Sequence, residues 1–267
     1  MATLVCFHAH PDDEAIATGG VMAQAAAAGH RVVLVVATRG EEGEVAPGVL
    51  DDGESLADRR VAEVAAAAEI LGVARYEFLG YRDSGMMGTP ENDDPTSFWQ
   101  ADVDDAATKL AAILREERAD ALTIYDDWGG YGHPDHIQVH RVGGRAGELA
   151  ATPRVYEATI DGDAVRDSLE EAVRNPPSPQ MAQQAEQMLA EGGPHLGVPA
   201  ERITTRVDVS AWIDQKRAAL AAHSSQVPAE SWWMSVPAEE FARMFGTEWF
   251  IHRGVPAGTV ETDLGLG

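Results

Sequence analysis

Short runs of apolar, often β-branched residues alternate with alanine-rich stretches of helical spacing over the first 160 positions of this chain. The runs Thr3 to Phe7, Arg31 to Ala37, Tyr76 to Leu79, Ala121 to Tyr125 and Arg154 to Thr159 are too short for helices and rich in strand formers, so strands are predicted there. Between them, a stretch ending at Ala28 before Gly29, another from Ser55 to Leu71 stopped by Gly72, and a third from about Ala101 to Glu117 carry the helical period. This alternation predicts an α/β fold: a Rossmann-like, mostly parallel sheet with helices on both faces, binding its ligands beyond the carboxyl ends of the strands. From about Asp161 the regularity breaks. The stretch to Ala200 is polar, with Pro176 and Pro177 inside it, and a helix from Ser210 to His223 follows. Residues 1–160 are therefore expected to form the core, and 161–267 a smaller C-terminal subregion that completes the fold and its pocket.

Charge narrows the class of partner. With 44 acidic against 20 basic side chains the formal net charge is -24, and a polyanion would be repelled, which excludes nucleic acid as a main partner. Apolar residues form 45% of the 267, enough for a sizeable core and too many for a disordered chain. The single cysteine, Cys6, cannot form an internal disulfide and reads as a small core residue. No stretch reaches about 18 consecutive apolar residues and the N-terminus lacks a basic-then-apolar signal layout, so a cytoplasmic protein off the membrane is expected.

The first strand runs directly into His8-Ala9-His10-Pro11-Asp12-Asp13-Glu14, five ionisable residues around one proline. Burying them for stability alone would be costly. A dinucleotide-binding turn would show G-x-G-x-x-G here, and Gly19-Gly20 come too late for it. The fourth strand is followed by a second polar cluster, Tyr125 to His136, at an equivalent strand end. Imidazole nitrogens with carboxylate oxygens suit a borderline cation such as Zn²⁺, which takes both at about 2.0–2.2 Å. His10 and Asp13, three apart, can face one side, and His136 can supply a third ligand, leaving a coordination position open for water. His133 and His140 lie at helical offsets from His136 and compete for that place.

The paired motifs A-H-P-D-D-E (Ala9 to Glu14) and Y-G-H-P-D-H (Tyr131 to His136) resemble those of the LmbE-like, or PIG-L type, zinc-dependent N-deacetylases. The resemblance extends to Glu41 through Val45, to Arg60 with Glu63, to Arg82 through Met86, and weakly to Lys216 through Gln226. It implies an enzyme that removes the acetyl group from a small N-acetylglucosamine-type glycoside, for example a GlcNAc-inositol conjugate, and releases acetate. It further implies that His10, Asp13 and His136 hold zinc, although iron can occupy such donors, and that Asp12 is the general base on the metal-bound water. Tyr131 and a protonated His133 would approach the oxyanion, with Asp135 favouring the imidazolium by its charge, and either Asp12 or His133 would protonate the departing amine. By the same resemblance Arg60 and Asp83 contact the sugar or polyol, Met86 walls the pocket and Glu44 sits near its mouth. An ion pair or a loop anchor is the plain alternative for each of these four. The resemblance is compatible with a homo-oligomer.

Two other functions match parts of the chain. Amidase action on a mycothiol-type thiol conjugate is suggested by resemblance around Trp232, Trp233 and Met234, but Ala17 stands at what looks like the place where such amidases carry lysine, and core or lid packing is the better reading of the aromatics. A non-catalytic glycan-binding module would not need Asp12 and His133. His8 reads equally as a residue behind the ligands or a satisfied core histidine and His140 is expected behind the ligands, whereas His30 suits a helix end and His195, His223 and His252 lack clustered partners. The acidic runs Asp51-Asp52 and Glu91 to Asp94 read as solvated loop faces.

Overall fold

The computed structural model describes residues 1–45, 48–176, 179–190 and 196–267; Pro177 and His195 lie outside the described residues. Five parallel strands, β1 (Thr3–His8), β2 (Arg31–Val36), β3 (Arg75–Phe78), β4 (Ala121–Tyr125) and β5 (Arg154–Thr159), are joined by β6 (Thr205–Asp208) and β7 (Thr247–His252) in one seven-stranded sheet ordered β3-β2-β1-β4-β5-β7-β6. Helices α1 (Asp13–Ala17), α2 (Gly19–Ala27), α3 (Leu56–Leu71), α4 (Val103–Glu117), α5 (Gly129–Gly132), α6 (Pro134–Ala150), α7 (Gly162–Arg174), α8 (Pro179–Ala190), α9 (Ile213–Ala222), α10 (Trp232–Ser235) and α11 (Ala238–Phe245) surround it. They pack in separate groups, α4 with α6 and α2 and α3 with α9. This cover explains why β1, β2 and β4 are almost wholly buried, as parallel strands require. None of the described helices is long and apolar enough to cross a membrane.

The chain leaves β1 for β2 on one side and later returns to lay β4 on the other, so the strand order reverses between β1 and β4. The parallel register Leu4↔Ala121, Val5↔Leu122 and Cys6↔Thr123 brings the ends of these two strands level. A crevice opens where loops diverge from such a switch point. Both polar clusters of the sequence follow these two strands directly.

β6 and β7 carry no long continuous apolar run to announce them in the sequence. Their residues alternate between buried and more exposed, the period of an antiparallel edge, and β7 pairs antiparallel with both β5 and β6. The C-terminal residues thus extend the same sheet. From β7 the buried Glu248 accepts Gly20 N–H at 2.7 Å and Val21 N–H at 2.9 Å at the start of α2, and receives Lys216 Nζ of α9 at 2.6 Å. A carboxylate at a helix N-terminus satisfies unpaired amides and complements the dipole.

On the opposite rim Glu117, in the last turn of α4, accepts Arg31 at 2.5 Å and Arg75 at 2.8 Å, and these partners hold its pKa down from 4.5 to about 2. A depressed carboxylate contributes stability that is complete above its unfolded pKa and is lost as pH falls through the folded value. Thermal melts between pH 5 and about 2 should therefore show a steeper loss for the parent than for Glu117→Gln. Parallel curves would remove Glu117 from the acid response.

Candidate active site

β1 ends in His8, and the chain turns sharply through His10 and Pro11 into α1. At the turn Asp12 has φ 98° and ψ -31°, outside the regions L-residues populate readily. Such a conformation costs about 1–3 kcal/mol and persists only where surrounding contacts over-determine it. Here the Asp12 N–H donates to Glu14 Oε2 at 3.0 Å, the Asp12 carbonyl accepts Ala15 and Ile16 N–H, and Arg60 Nη2 donates to the Pro11 carbonyl.

The second cluster is built by Asp126, whose Oδ1 accepts Trp128 N–H at 3.0 Å and Gly130 N–H at 2.9 Å. Gly129 has φ +66°, and a Cβ there would meet His136 Cβ at 2.5 Å, so glycine alone lets the loop lie against the histidine. His133 caps α6 by accepting Asp135 N–H on Nδ1 at 3.1 Å, and Pro134 follows at the first helical position. His136 then points inward, one turn along.

The clusters meet. Asp13 Oδ2 lies 3.3 Å from His136 Nε2 and 3.5 Å from His10 Nδ1. A tetrahedral ion bonded at about 2.0–2.1 Å sets its ligand atoms about 3.3 Å apart. Each imidazole is also anchored through its other nitrogen: His10 Nε2 to Asp135 Oδ2 at 3.1 Å and His136 Nδ1 to the Gly129 carbonyl at 3.1 Å. That is the outer bracing metal-ligating histidines require. His136 Nε2, buried, has no hydrogen-bond partner among the described residues. These observations fit a metal ion on a His-His-Asp cluster. Two further groupings bring ligand atoms within 4.8 Å of one another, His10 with His133 and His136, and His10 with Asp83 and Asp135; the latter pair meets the Nε2 side of the His10 ring, whereas Asp13 meets Nδ1. Asp135 is the less suited of these carboxylates, because it already accepts Ser84 N–H at 3.0 Å, the Ser84 hydroxyl and His10.

The local field favours positive charge. Burial opposes protonation of His10, yet Asp83, Asp13 and Asp135 together hold its pKa well above the usual value. Burial would raise Asp13, and His136 and His10 nevertheless hold it well below the carboxylate range. Asp12 behaves differently: burial pushes it up to about 6, Arg60 opposing and Asp13 reinforcing. The adjacent carboxylates are thus set to different tasks, one retaining its charge and the other able to take a proton near neutrality.

Two expectations are corrected. Asp135 does not favour a protonated His133, because its carboxylate faces His10 and Ser84 while its backbone N–H donates to His133 Nδ1. Burial, then His10 and His136, lowers His133 to about 3. Nor does His223 lack a partner: it is fully buried, and its Nε2 meets Glu14 Oε1 at 2.5 Å across 209 positions.

The remaining predicted residues divide between interior and rim. Arg60 is buried and donates to the carbonyls of Gly40 and Pro11 and to Asp12 Oδ2 at 3.2 Å, so its contacts are with the chain itself. Asp83 faces His10 Nε2 at 3.4 Å and accepts Gly85 and Glu42 N–H. Met86, Tyr131 and Glu44 are exposed, and the Tyr131 ring stands edge-on to His136 at 4.9 Å. His8 bonds Tyr125 Oη and Thr18 Oγ1, and Tyr125 stacks on His136 at 4.5 Å, which places His8 behind a ligand. His140 turns away to the Tyr125 carbonyl. Trp233 packs on Phe245 while Trp232 is half exposed. Ser84, Glu14 and His223 were not singled out from sequence; Ser84 lay within a quoted motif, Glu14 beside the ligands and His223 in the Lys216 to Gln226 segment. A hollow of about 590 Å³ flanked by Trp128, Arg166 and Pro199 is lined by none of the histidines and carboxylates of the site.

Fold and site define a Rossmann-like α/β protein with a histidine and carboxylate centre at the switch point of its sheet. Residues 5–146 match the family described as PIG-L, GlcNAc-PI de-N-acetylase, and the chain belongs to that family. It is 42% identical to the 1D-myo-inositol 2-acetamido-2-deoxy-alpha-D-glucopyranoside deacetylase of Acidothermus cellulolyticus over 99% of this chain and 94% of that one. It is 47% identical to the protein of the same name from Thermobifida fusca over 84% and 83% of the two chains. The N,N'-diacetylchitobiose deacetylase of Pyrococcus horikoshii shares the fold, with a TM-score of 0.55 at 23% identity over 94% of this chain and 83% of that one.

Proposed function

We propose that this protein is a zinc-dependent deacetylase that hydrolyses the N-acetyl group of a GlcNAc-inositol-type glycoside to a free amine and acetate. The observation that carries the chemistry is Asp13 Oδ2 standing within 3.5 Å of one nitrogen of each of two braced histidines, with Asp12 next in the chain. The substrate class is supported by the names of relatives at 42% and 47% identity. Zinc on His10, Asp13 and His136, or iron on the same donors, would polarise the acetamide carbonyl and acidify water.

Asp12 accepts the proton of the attacking water. Neutral His133 offers Nε2–H, and Tyr131 its hydroxyl, to the oxygen that gains charge, the kind of preorganised donors that stabilise an oxyanion. The proton on Asp12 then passes to the departing amine, so one carboxylate serves both directions. Asp135 fixes the ring of His10 and does no proton transfer. Arg60 steadies Asp12, and Met86 and Glu44 face the sugar or polyol from the rim with Asp83 behind.

Incubating zinc-loaded protein with GlcNAc-inositol, free N-acetylglucosamine and a larger thiol-conjugate amide tests this. New primary amine and acetate should appear in equal amounts, with the glycosides ahead of the thiol conjugate. Protein that binds zinc and releases acetate from neither glycoside would overturn the reading.

A further inference from the structure

We propose that His223 is a positioning residue for Asp12, acting through Glu14: the end of α9 holds the general base in its left-handed backbone conformation. The inference rests on the deacetylase reading for the role of Asp12, and on geometry for the rest.

Asp12 needs clamps on both sides of its turn, and the Pro11 side is held by Arg60. On the other side the Asp12 N–H is held by Glu14 Oε2 at 3.0 Å. Glu14 is fully buried, and its second oxygen meets only His223 Nε2, at 2.5 Å, in the described hydrogen bonds. Without that partner a carboxylate would be left in the interior with one amide, a cost that drives it to protonate or turn away, and the Asp12 amide would lose its acceptor. His223 Nδ1 is buried without a hydrogen-bond partner among the described residues, where the ring makes no other polar contact that would explain its place.

The turn that presents His223 is itself fixed. Glu63 accepts Ser225 N–H at 2.8 Å and the hydroxyls of Ser225 and Ser224 at 2.7 and 3.1 Å. Gln226 Nε2 donates to the Glu44 carbonyl at 3.1 Å, and Lys216 anchors the same helix on Glu248. Arg60 and Glu63 are three residues apart on α3 and so share a face. One stretch of α3 thus steadies Asp12 directly by Arg60 and indirectly, by Glu63, through the turn bearing His223. This gives the Lys216 to Gln226 segment a purpose that packing alone does not supply.

The experiment compares parent, His223→Leu and His223→Gln in the full zinc-loaded chain with GlcNAc-inositol. Misplacing a catalytic group by about 1 Å can cost about 100-fold, so kcat of His223→Leu should fall by about that factor. KM should stay within about twofold and zinc content should be unchanged, since the change acts after binding. The glutamine Nε2 can donate to Glu14 as the imidazole does, and should restore kcat to within about fivefold of the parent. In an Asp12→Ala background His223→Leu should cause no further loss, because residues acting as one unit are not additive. Independently of turnover, hydrogen exchange at the Asp12 amide, read by NMR, should be slow in parent and His223→Gln and fast in His223→Leu. If His223→Leu does not fold, Glu14→Leu, which removes the acceptor of the Asp12 amide, carries the same comparison. An unchanged kcat, an equal loss with Asp12 absent, or an amide still protected in His223→Leu would each overturn the proposal. A parent without turnover would sink the deacetylase reading, and amide exchange would still decide whether His223 holds Asp12.

Discussion

His136→Ala protein should emerge from zinc loading and dialysis without stoichiometric metal, and without deacetylase activity, while keeping its fold. The imidazole is braced by the Gly129 carbonyl on one nitrogen, and the other faces Asp13 with no hydrogen-bond partner among the described residues. On the proposed ligand set its removal deletes a ligand rather than a support, so the loss of metal affinity should exceed the roughly 10- to 100-fold that outer partners typically contribute. Asp83→Asn and Asp135→Asn should fall within that smaller range, because both carboxylates contact His10 from outside the His10–Asp13–His136 cluster. Elemental analysis and zinc titration of the three variants decide the ligand set. If His136→Ala still holds one equivalent and Asp83→Asn does not, the cation belongs to the grouping of His10 with Asp83 and Asp135.

Asp12→Asn should separate chemistry from binding. Asparagine matches aspartate in size and tolerates positive φ, so the turn survives, yet the side chain can no longer take a proton. Losing a positioned general base typically costs about 10²- to 10⁴-fold, and kcat should fall by that range with zinc content and melting temperature close to the parent's. A variant that keeps a tenth of parental kcat would assign the proton transfer elsewhere, with the buried His133 the next candidate.

The five parallel strands were legible because burial on both faces leaves continuous apolar runs such as Arg31 to Ala37. β6 and β7 were not, since each exposes alternate residues and carries charged positions, a pattern shared with loops. The meeting of the two motifs was readable as well, because strands on either side of a switch point deliver their following loops to one place. What spacing could not supply was the direction of each side chain. Asp135 sits two residues from His133 and yet its carboxylate serves His10; Arg60 turns inward to the loop carrying Asp12; Glu14 and His223 find one another across 209 positions, with no periodicity to announce it. Such partnerships are properties of the assembled fold.

Glu248 closes the first amides of α2 and the charge of Lys216 from a strand near the far end of the chain. During synthesis on the ribosome the opening helices therefore emerge long before the carboxylate that completes them. Contacts so distant in sequence form slowly. The nascent chain therefore carries the start of α2 without its carboxylate until β7 has been made and has joined the sheet, so the support of that helix arrives late, as a consequence of sheet closure.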